Sequence, residues 1–113
     1  MASDECWLVC GGQVLASAER ANSRGARARG LLGRDGIGGA LVLAPCRSVH
    51  TLGMRFAIDV AYLDANGIVI KVAHMHRNRI GLPVWKAKTV VEAEAGAFDR
   101  WGLQLGQQVE LRE

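Results

Sequence analysis

The chain has 113 residues, of which 50% are hydrophobic and 22% charged, and 14 Lys and Arg against 11 Asp and Glu give a formal net charge of +3. A chain of this length buries one core, so we expect a single domain over residues 1–113. The composition excludes a disordered tail and a collagen-like repeat, and no apolar run reaches the roughly 18 residues of a membrane-spanning helix. We therefore expect a globular protein without a membrane partner.

The first half of the chain predicts a hairpin, a short helix and a strand. Residues 6–10 are apolar, Gly11 and Gly12 can form a turn, and residues 13–16 resume the apolar run. Residues 23–32 are rich in Arg, Ala and Leu, which favour a helix, with Ser23 as its N-cap. Gly30 should keep this helix short, and residues 41–43 predict a strand that Pro45 ends.

The second half predicts mostly strands. Asn66 and Gly67 separate apolar residues 58–64 from β-branched residues 68–72, which indicates a hairpin. Residues 89–94 alternate, which places Glu92 and Glu94 together on the solvent side of a half-buried strand. Residues 97–101 predict one helical turn, and residues 107–111 a last strand. Short strands with one or two short helices are typical of a compact β-sandwich or barrel, so the fold class is mostly β.

Two features along the chain indicate the compartment and the kind of partner. The three cysteines, Cys6, Cys10 and Cys46, are odd in number and lack zinc-site spacing, and the first residues are acidic where a signal peptide is positive. We therefore expect a reducing, cytoplasmic location.

Five arginines between residues 20 and 34 could attract an anion or form the solvated face of a helix. Aromatic residues, at 5%, are too few to suggest a nucleic-acid partner.

Residues 46–54 carry the residue types most suited to chemistry. Cys46, His50 and Met54 have the spacing of a soft-metal loop, but no second histidine precedes Cys46 as a blue-copper site would require. A buried cysteine and a core methionine are the simpler interpretation, and we expect neither a metal nor a cofactor. Cys46, His50 and Asp59 form the one plausible nucleophilic trio, which keeps a hydrolase or metal-dependent enzyme open as an alternative.

Several segments, taken in order, resemble one family of small prokaryotic proteins. They are residues 27–34 (RARGLLGR), 50–59 (HTLGMRFAID), 60–64 (VAYLD) and 91–96 (VEAEAG), followed by Gly102 and Gly106. This set is similar to the domain of unknown function 192 family over about residues 17–111. Asp59 matches the family's aspartate, whereas Gly53 and Met54 replace its Asn-Thr pair. The resemblance implies a jelly-roll-like β-rich fold with the arginine segment packed against it, and it brings no established activity, substrate or cofactor.

These residues predict a polar ligand site. If the polar side chains of the family segments converge, they form a pocket for a small polar or anionic ligand; the candidate ligand-binding residues are Arg29, Arg34, His50, Met54, Asp59 and Glu92. Alternatively, an arginine–carboxylate pair, for instance Arg29 or Arg34 with Asp59 or Glu92, fastens the helix to the sheet. We expect a non-enzymatic binding module for such a ligand or for a protein partner.

A third hypothesis is an adaptor that pairs through an exposed β-edge in residues 6–16. Trp85, beside Pro83 on a predicted loop, is the aromatic residue that we expect to contact a partner. The sequence leaves the oligomeric state open.

Overall fold

The computed structural model describes residues 5–113, which form one seven-stranded sheet and two short helices. The elements in chain order are β1 (Glu5–Cys10), β2 (Gln13–Ala21), α1 (Arg24–Arg29), β3 (Ala40–Leu43), β4 (Ile58–Leu63), β5 (Val69–Met75), β6 (Thr89–Glu94), α2 (Ala97–Trp101) and β7 (Val109–Arg112). Across the sheet the strand order is β5-β4-β6-β3-β2-β1-β7, and only β2 and β3 pair in parallel. The expected mostly β fold with short helices is confirmed.

The sheet curls until its two edge strands approach each other, which gives a half-barrel. Just before β5, Ile68 forms an isolated antiparallel bridge with Gln108, and the Val69 amide donates to the Gln107 carbonyl at 2.9 Å. The Val109 amide donates to the Gly67 carbonyl at 2.9 Å. Gly67 has φ of +78°, and a Cβ added there would lie 2.5 Å from the Val109 oxygen, so this closure requires glycine.

Two apolar clusters lie on opposite faces of the sheet, because successive side chains of a strand point to opposite sides. One cluster includes Ala61, Val91 and Phe98 of α2. The other includes Leu41 and Val60, and it is covered by Leu31, just after α1, and by the segment before β4. Both faces of the central strands are therefore buried, and neighbouring residues of one strand belong to different cores.

The local signals in the sequence place most elements correctly. The Ser23 hydroxyl accepts a hydrogen bond from the Ala26 amide at 3.0 Å, as expected of the N-cap, and Gly30 ends α1. Gly102 ends α2 as expected. Strand β2 runs to Ala21, well beyond the predicted end, because residues 18–21 pair with β3. Neither helix, at six and five residues, is long and apolar enough to cross a membrane.

The pairing removes residues 7–10 from the proposed adaptor edge and leaves residues 13–16 paired on one side. Strand β1 pairs with β2 on one side and with β7 on the other, and β2 pairs with β3 as well. Backbone groups of residues 7–10 are therefore engaged on both sides, whereas residues 13–16 of β2 pair with β1 on one side and lie outside the ladder with β3. The outermost strands of the sheet are β5 and β7. His74 and His76, whose rings meet edge to face at 4.9 Å, are exposed at the β5 edge.

Candidate functional site

A cavity of about 220 Å³ lies between α1, the end of β3, strand β6 and the loop of residues 46–54. Its wall is mostly apolar, and its polar groups come from three separate segments of the chain. It is lined by Arg27, Ala28, Arg29, Gly30, Leu31, Leu32, Leu43, Cys46, Ser48, Val49, His50, Leu52, Met54 and Glu92. Four of the predicted site residues, Arg29, His50, Met54 and Glu92, thus share one cavity.

A larger and more open depression of about 530 Å³ lies where the β1–β2 turn meets the chain before β7. Its lining combines turn glycines, side-chain amides and the apolar residues Cys10 and Val109, with Glu110 as the one carboxylate among the described lining residues. Because none of the predicted site residues lines this depression, we place the candidate site in the smaller cavity, where polar groups converge on an apolar wall.

Glu92 is the distinctive group of this cavity. It pairs in the sheet with Leu41 on one side and with Val60 on the other, so its side chain points to the face covered by α1. The residue is only 4% exposed, and no group of residues 5–113 forms a hydrogen bond or ion pair with its carboxyl. Burial raises the pKa of Glu92 from its ordinary value of 4.5 to about 7, since the charged form loses its water.

This geometry corrects the expected solvent position of Glu92. Alternation along β6 predicts correctly that Glu92 and Glu94 share a face, but only Glu94 is exposed. The end of α1 covers Glu92: a Cβ added at Gly30 would lie 3.4 Å from the Glu92 Oε1 atom. Gly30 has φ of +52°, a left-handed conformation that favours glycine, so this residue lets the helix end directly against the carboxyl.

Two arginines of α1 line the same cavity without a carboxylate partner. The Arg27 Nη1 group donates to the Asn22 carbonyl at 3.1 Å and to the Ala44 carbonyl at 3.4 Å. The Arg29 Nε group donates to the Leu32 carbonyl at 3.3 Å. These acceptors are neutral, and neither arginine forms an ion pair with an acidic group of residues 5–113. Arg27 was absent from the predicted site, although it opens the family segment RARGLLGR.

The loop of residues 46–54 closes the cavity opposite α1. The Cys46 thiol donates to the Ser48 carbonyl at 3.3 Å, and burial raises its pKa, which disfavours the nucleophilic thiolate. The His50 Nδ1 atom accepts from the Leu52 amide at 3.3 Å. Thr51, fully buried, fixes this loop by donating to the His76 carbonyl at 2.6 Å and accepting from the Arg79 amide at 2.9 Å.

Asp59 lies on the other face of the sheet and does not join this cavity. Its Oδ2 atom accepts from the amides of Gly96 at 3.0 Å and Phe98 at 3.2 Å, and its Oδ1 atom lies 3.2 Å from the His74 Nδ1 atom. Since Val60 shares a face with Glu92, its neighbour Asp59 must point to the opposite side. Asp59 therefore caps α2, whose own N-cap residue is a glycine.

The nucleophilic trio and the predicted arginine–carboxylate pair are consequently not assembled. Cys46 and His50 line the cavity, whereas Asp59 does not. Among residues 5–113 no group of three His, Cys, Asp or Glu side chains is placed to share a metal ion. Arg34 forms two hydrogen bonds with Glu19 of β2, at 2.9 and 3.1 Å, rather than with Asp59 or Glu92. This pair lowers the pKa of Glu19, mainly through the hydrogen bond from Arg34.

Comparison with known proteins gives the family and the fold. The sequence profile of DUF192, described as an uncharacterized ACR family, matches residues 8–111. The UPF0127 protein PF1050 of Pyrococcus furiosus is 35% identical over 63 residues, which are 56% of this chain and 54% of the relative. The chain thus spans about half the length of this curated relative.

Two solved structures are similar to this one. A protein of unknown function from Novosphingobium aromaticivorans has a TM-score of 0.75 at 17% identity, with 94% of this chain and 83% of that chain covered. A protein from Sinorhizobium meliloti, described as a candidate transcription regulator, has a TM-score of 0.79 at 16% identity, with 97% and 94% covered. At such low identity these likenesses establish the fold alone.

Proposed function

The chain belongs to the DUF192 family, and for this member we propose that the cavity beside Glu92 binds a small polar or anionic molecule. The observation that carries the proposal is Glu92, a residue only 4% exposed whose carboxyl has no hydrogen-bond partner among residues 5–113, in the wall of a cavity of about 220 Å³. Among residues 5–113 no side-chain oxygen is fully enclosed without a hydrogen bond, so the carboxyl oxygens of Glu92 are open to the cavity. A ligand that donates to Glu92 would supply the partner that the described residues do not, and a hydrogen bond to a charged group contributes about 1.5–3 kcal/mol.

The rest of the lining supports the same function. Leu31, Val49 and Met54 supply apolar surface, and Arg27 and Arg29 supply positive charge. Ligand sites typically combine an apolar wall with a few convergent polar groups. In this proposal Arg29, His50, Met54 and Glu92 contact the ligand, while Arg34 and Asp59 have structural roles.

A thermal-shift screen of the purified protein tests the proposal. The probes are small carboxylates, phosphorylated metabolites, sugars, amino acids and amines, each against wild type, Glu92→Gln and Glu94→Gln. Glu94 is the matched control, because it lies two residues along the same face of β6 but is exposed. A ligand at a hundredfold its Kd stabilises by about 2.7 kcal/mol, which raises the Tm of a domain of this size by roughly 10 °C.

We expect at least one probe to stabilise wild type and Glu94→Gln but to lose most of its effect on Glu92→Gln. A probe that stabilises all three proteins equally binds elsewhere and contradicts the proposal. So does a screen in which no probe shifts the Tm of wild type at millimolar concentration.

We also propose that the protein functions in the cytoplasm. All three cysteines are free thiols in the described structure, and Cys6 is buried, so none is used in a disulfide. Immunoblotting of cell fractions tests this location, and recovery of the protein outside the cytoplasmic fraction would overturn it.

A further inference from the structure

The cavity presents opposite charges that do not neutralise each other. The buried Glu92 and the α1 residues Arg27 and Arg29 all line it, yet no ion pair forms between them in the described chain. Both arginines instead donate hydrogen bonds to backbone carbonyls. Arg27 donates to the Asn22 and Ala44 carbonyls, and Arg29 donates to the Leu32 carbonyl. Both arginines are thus bonded to neutral carbonyls, and neither pairs with Glu92 although all three residues line the cavity.

This arrangement discriminates among ligands by charge. A simple anion would meet the two arginines but would leave Glu92 without a donor and would be repelled by its ionised form. A simple amine would meet Glu92 but would be repelled by two guanidinium groups. A molecule that carries an ammonium and an acidic group satisfies both ends, because each group then faces the opposite charge.

The size and lining of the cavity limit the ligand further. A cavity of about 220 Å³ lies just below the range of about 300–1,000 Å³ that is typical of small-molecule sites. This space suits a molecule of about single-amino-acid size. The side chains of Leu31, Leu43, Val49 and Met54 provide an apolar wall that suits an aliphatic side chain better than a polar one.

We propose that the ligand is a small zwitterion of the amino-acid class, with its ammonium group on Glu92, its acidic group on Arg27 and Arg29, and an aliphatic side chain against the apolar wall. This inference rests on the proposed function and specifies its ligand. An ammonium group beside Glu92 favours the carboxylate, so binding at pH 7 releases up to about half a proton from Glu92, because about half of the free carboxyls are protonated there.

Three matched probes test this class by isothermal titration calorimetry at pH 7: leucine, 4-methylpentanoate, which lacks the amine, and 3-methylbutylamine, which lacks the acid. The remaining amino acids are titrated as well, so that the side chain is not assumed. We expect leucine or another aliphatic amino acid to bind at least tenfold more tightly than the analogues that lack either charge. Titration in two buffers of different ionisation enthalpy measures proton release, which we expect for wild type and not for Glu92→Gln.

Variants of α1 provide a second readout if Glu92→Gln folds poorly. Arg29→Gln changes an exposed residue and should weaken amino-acid binding about tenfold or more, whereas Arg24→Gln, on the same helix but outside the cavity, should not. If 4-methylpentanoate binds as tightly as leucine and depends on Glu92, the zwitterion inference is wrong while the proposed function stands. If neither the amino acids nor the wider screen binds at this cavity, the proposed function fails with it.

Discussion

Glu92→Gln should change how the stability of the protein depends on pH. Burial raises the pKa of this carboxyl from 4.5 to about 7 in the folded protein, whereas the unfolded chain keeps the ordinary value. One pKa unit corresponds to about 1.4 kcal/mol, so this difference is worth about 3 kcal/mol. Between the two values the folded state holds a proton that the unfolded state lacks, and the free energy of unfolding therefore falls as pH rises.

The full contribution is present below pH 4.5 and is lost as pH rises through about 7. Glutamine is neutral at every pH, so the Glu92→Gln variant should gain about 3 kcal/mol relative to wild type between pH 4.5 and pH 8.5. Urea unfolding followed by tryptophan fluorescence at four pH values measures this difference. Subtracting the unfolding free energy of the variant from that of wild type at each pH cancels the contributions of the other carboxyls. One of these is Glu19, whose lowered pKa changes stability with pH in the opposite direction.

Glu94→Gln is the control for this experiment, since the exposed Glu94 lies on the same strand face. Its stability relative to wild type should stay constant with pH to within about 0.5 kcal/mol. If the Glu92→Gln difference is equally constant, Glu92 titrates as a solvated carboxyl. That result would refute its burial, and with it the argument for the site.

Three further substitutions test the structure around the cavity. Asp59→Asn should lower the free energy of unfolding by about 2 kcal/mol, because the carboxylate caps α2, and should leave ligand binding unchanged; loss of binding in a folded variant would contradict its position. Gly30→Ala should cost about 1–2 kcal/mol in urea unfolding, since φ is +52° there, and an unchanged stability would refute this backbone conformation. Arg34→Ala should cost below about 1 kcal/mol, since the pair with Glu19 is partly exposed. Because Arg34 lowers the pKa of Glu19, the stabilisation by this ion pair is lost as pH falls, and the cost of Arg34→Ala should shrink. A cost that grows on acidification would contradict the ion pair.

The parts of the fold that depend only on residues close together in the sequence could be predicted from the sequence. Ser23 caps α1 because its hydroxyl reaches an amide three residues later, and Gly67 closes the β4–β5 hairpin because its φ is positive. Such signals need no knowledge of the rest of the chain. The family resemblance, confirmed over residues 8–111, added the fold class independently.

The positions that were predicted wrongly depend on which strands are neighbours. Glu92 looked solvated because alternation shows which side chains share a face but not what covers that face. Asp59 and Glu92 looked convergent until the β4–β6 register placed them on opposite faces. Arg34 meets Glu19 because β2 continues to Ala21 and pairs in parallel with β3, a long-range pairing with no local signature.

A carboxyl-detected carbon-13 NMR titration of Glu92, with and without the amino acid that binds best, tests the central claim most directly. The account predicts that the free protein titrates at Glu92 with a pKa of about 7 and that bound ligand moves this value down by more than one unit. A Glu92 pKa near 4.5 in the free protein, or a Glu92 pKa that is the same with and without ligand, would contradict the account.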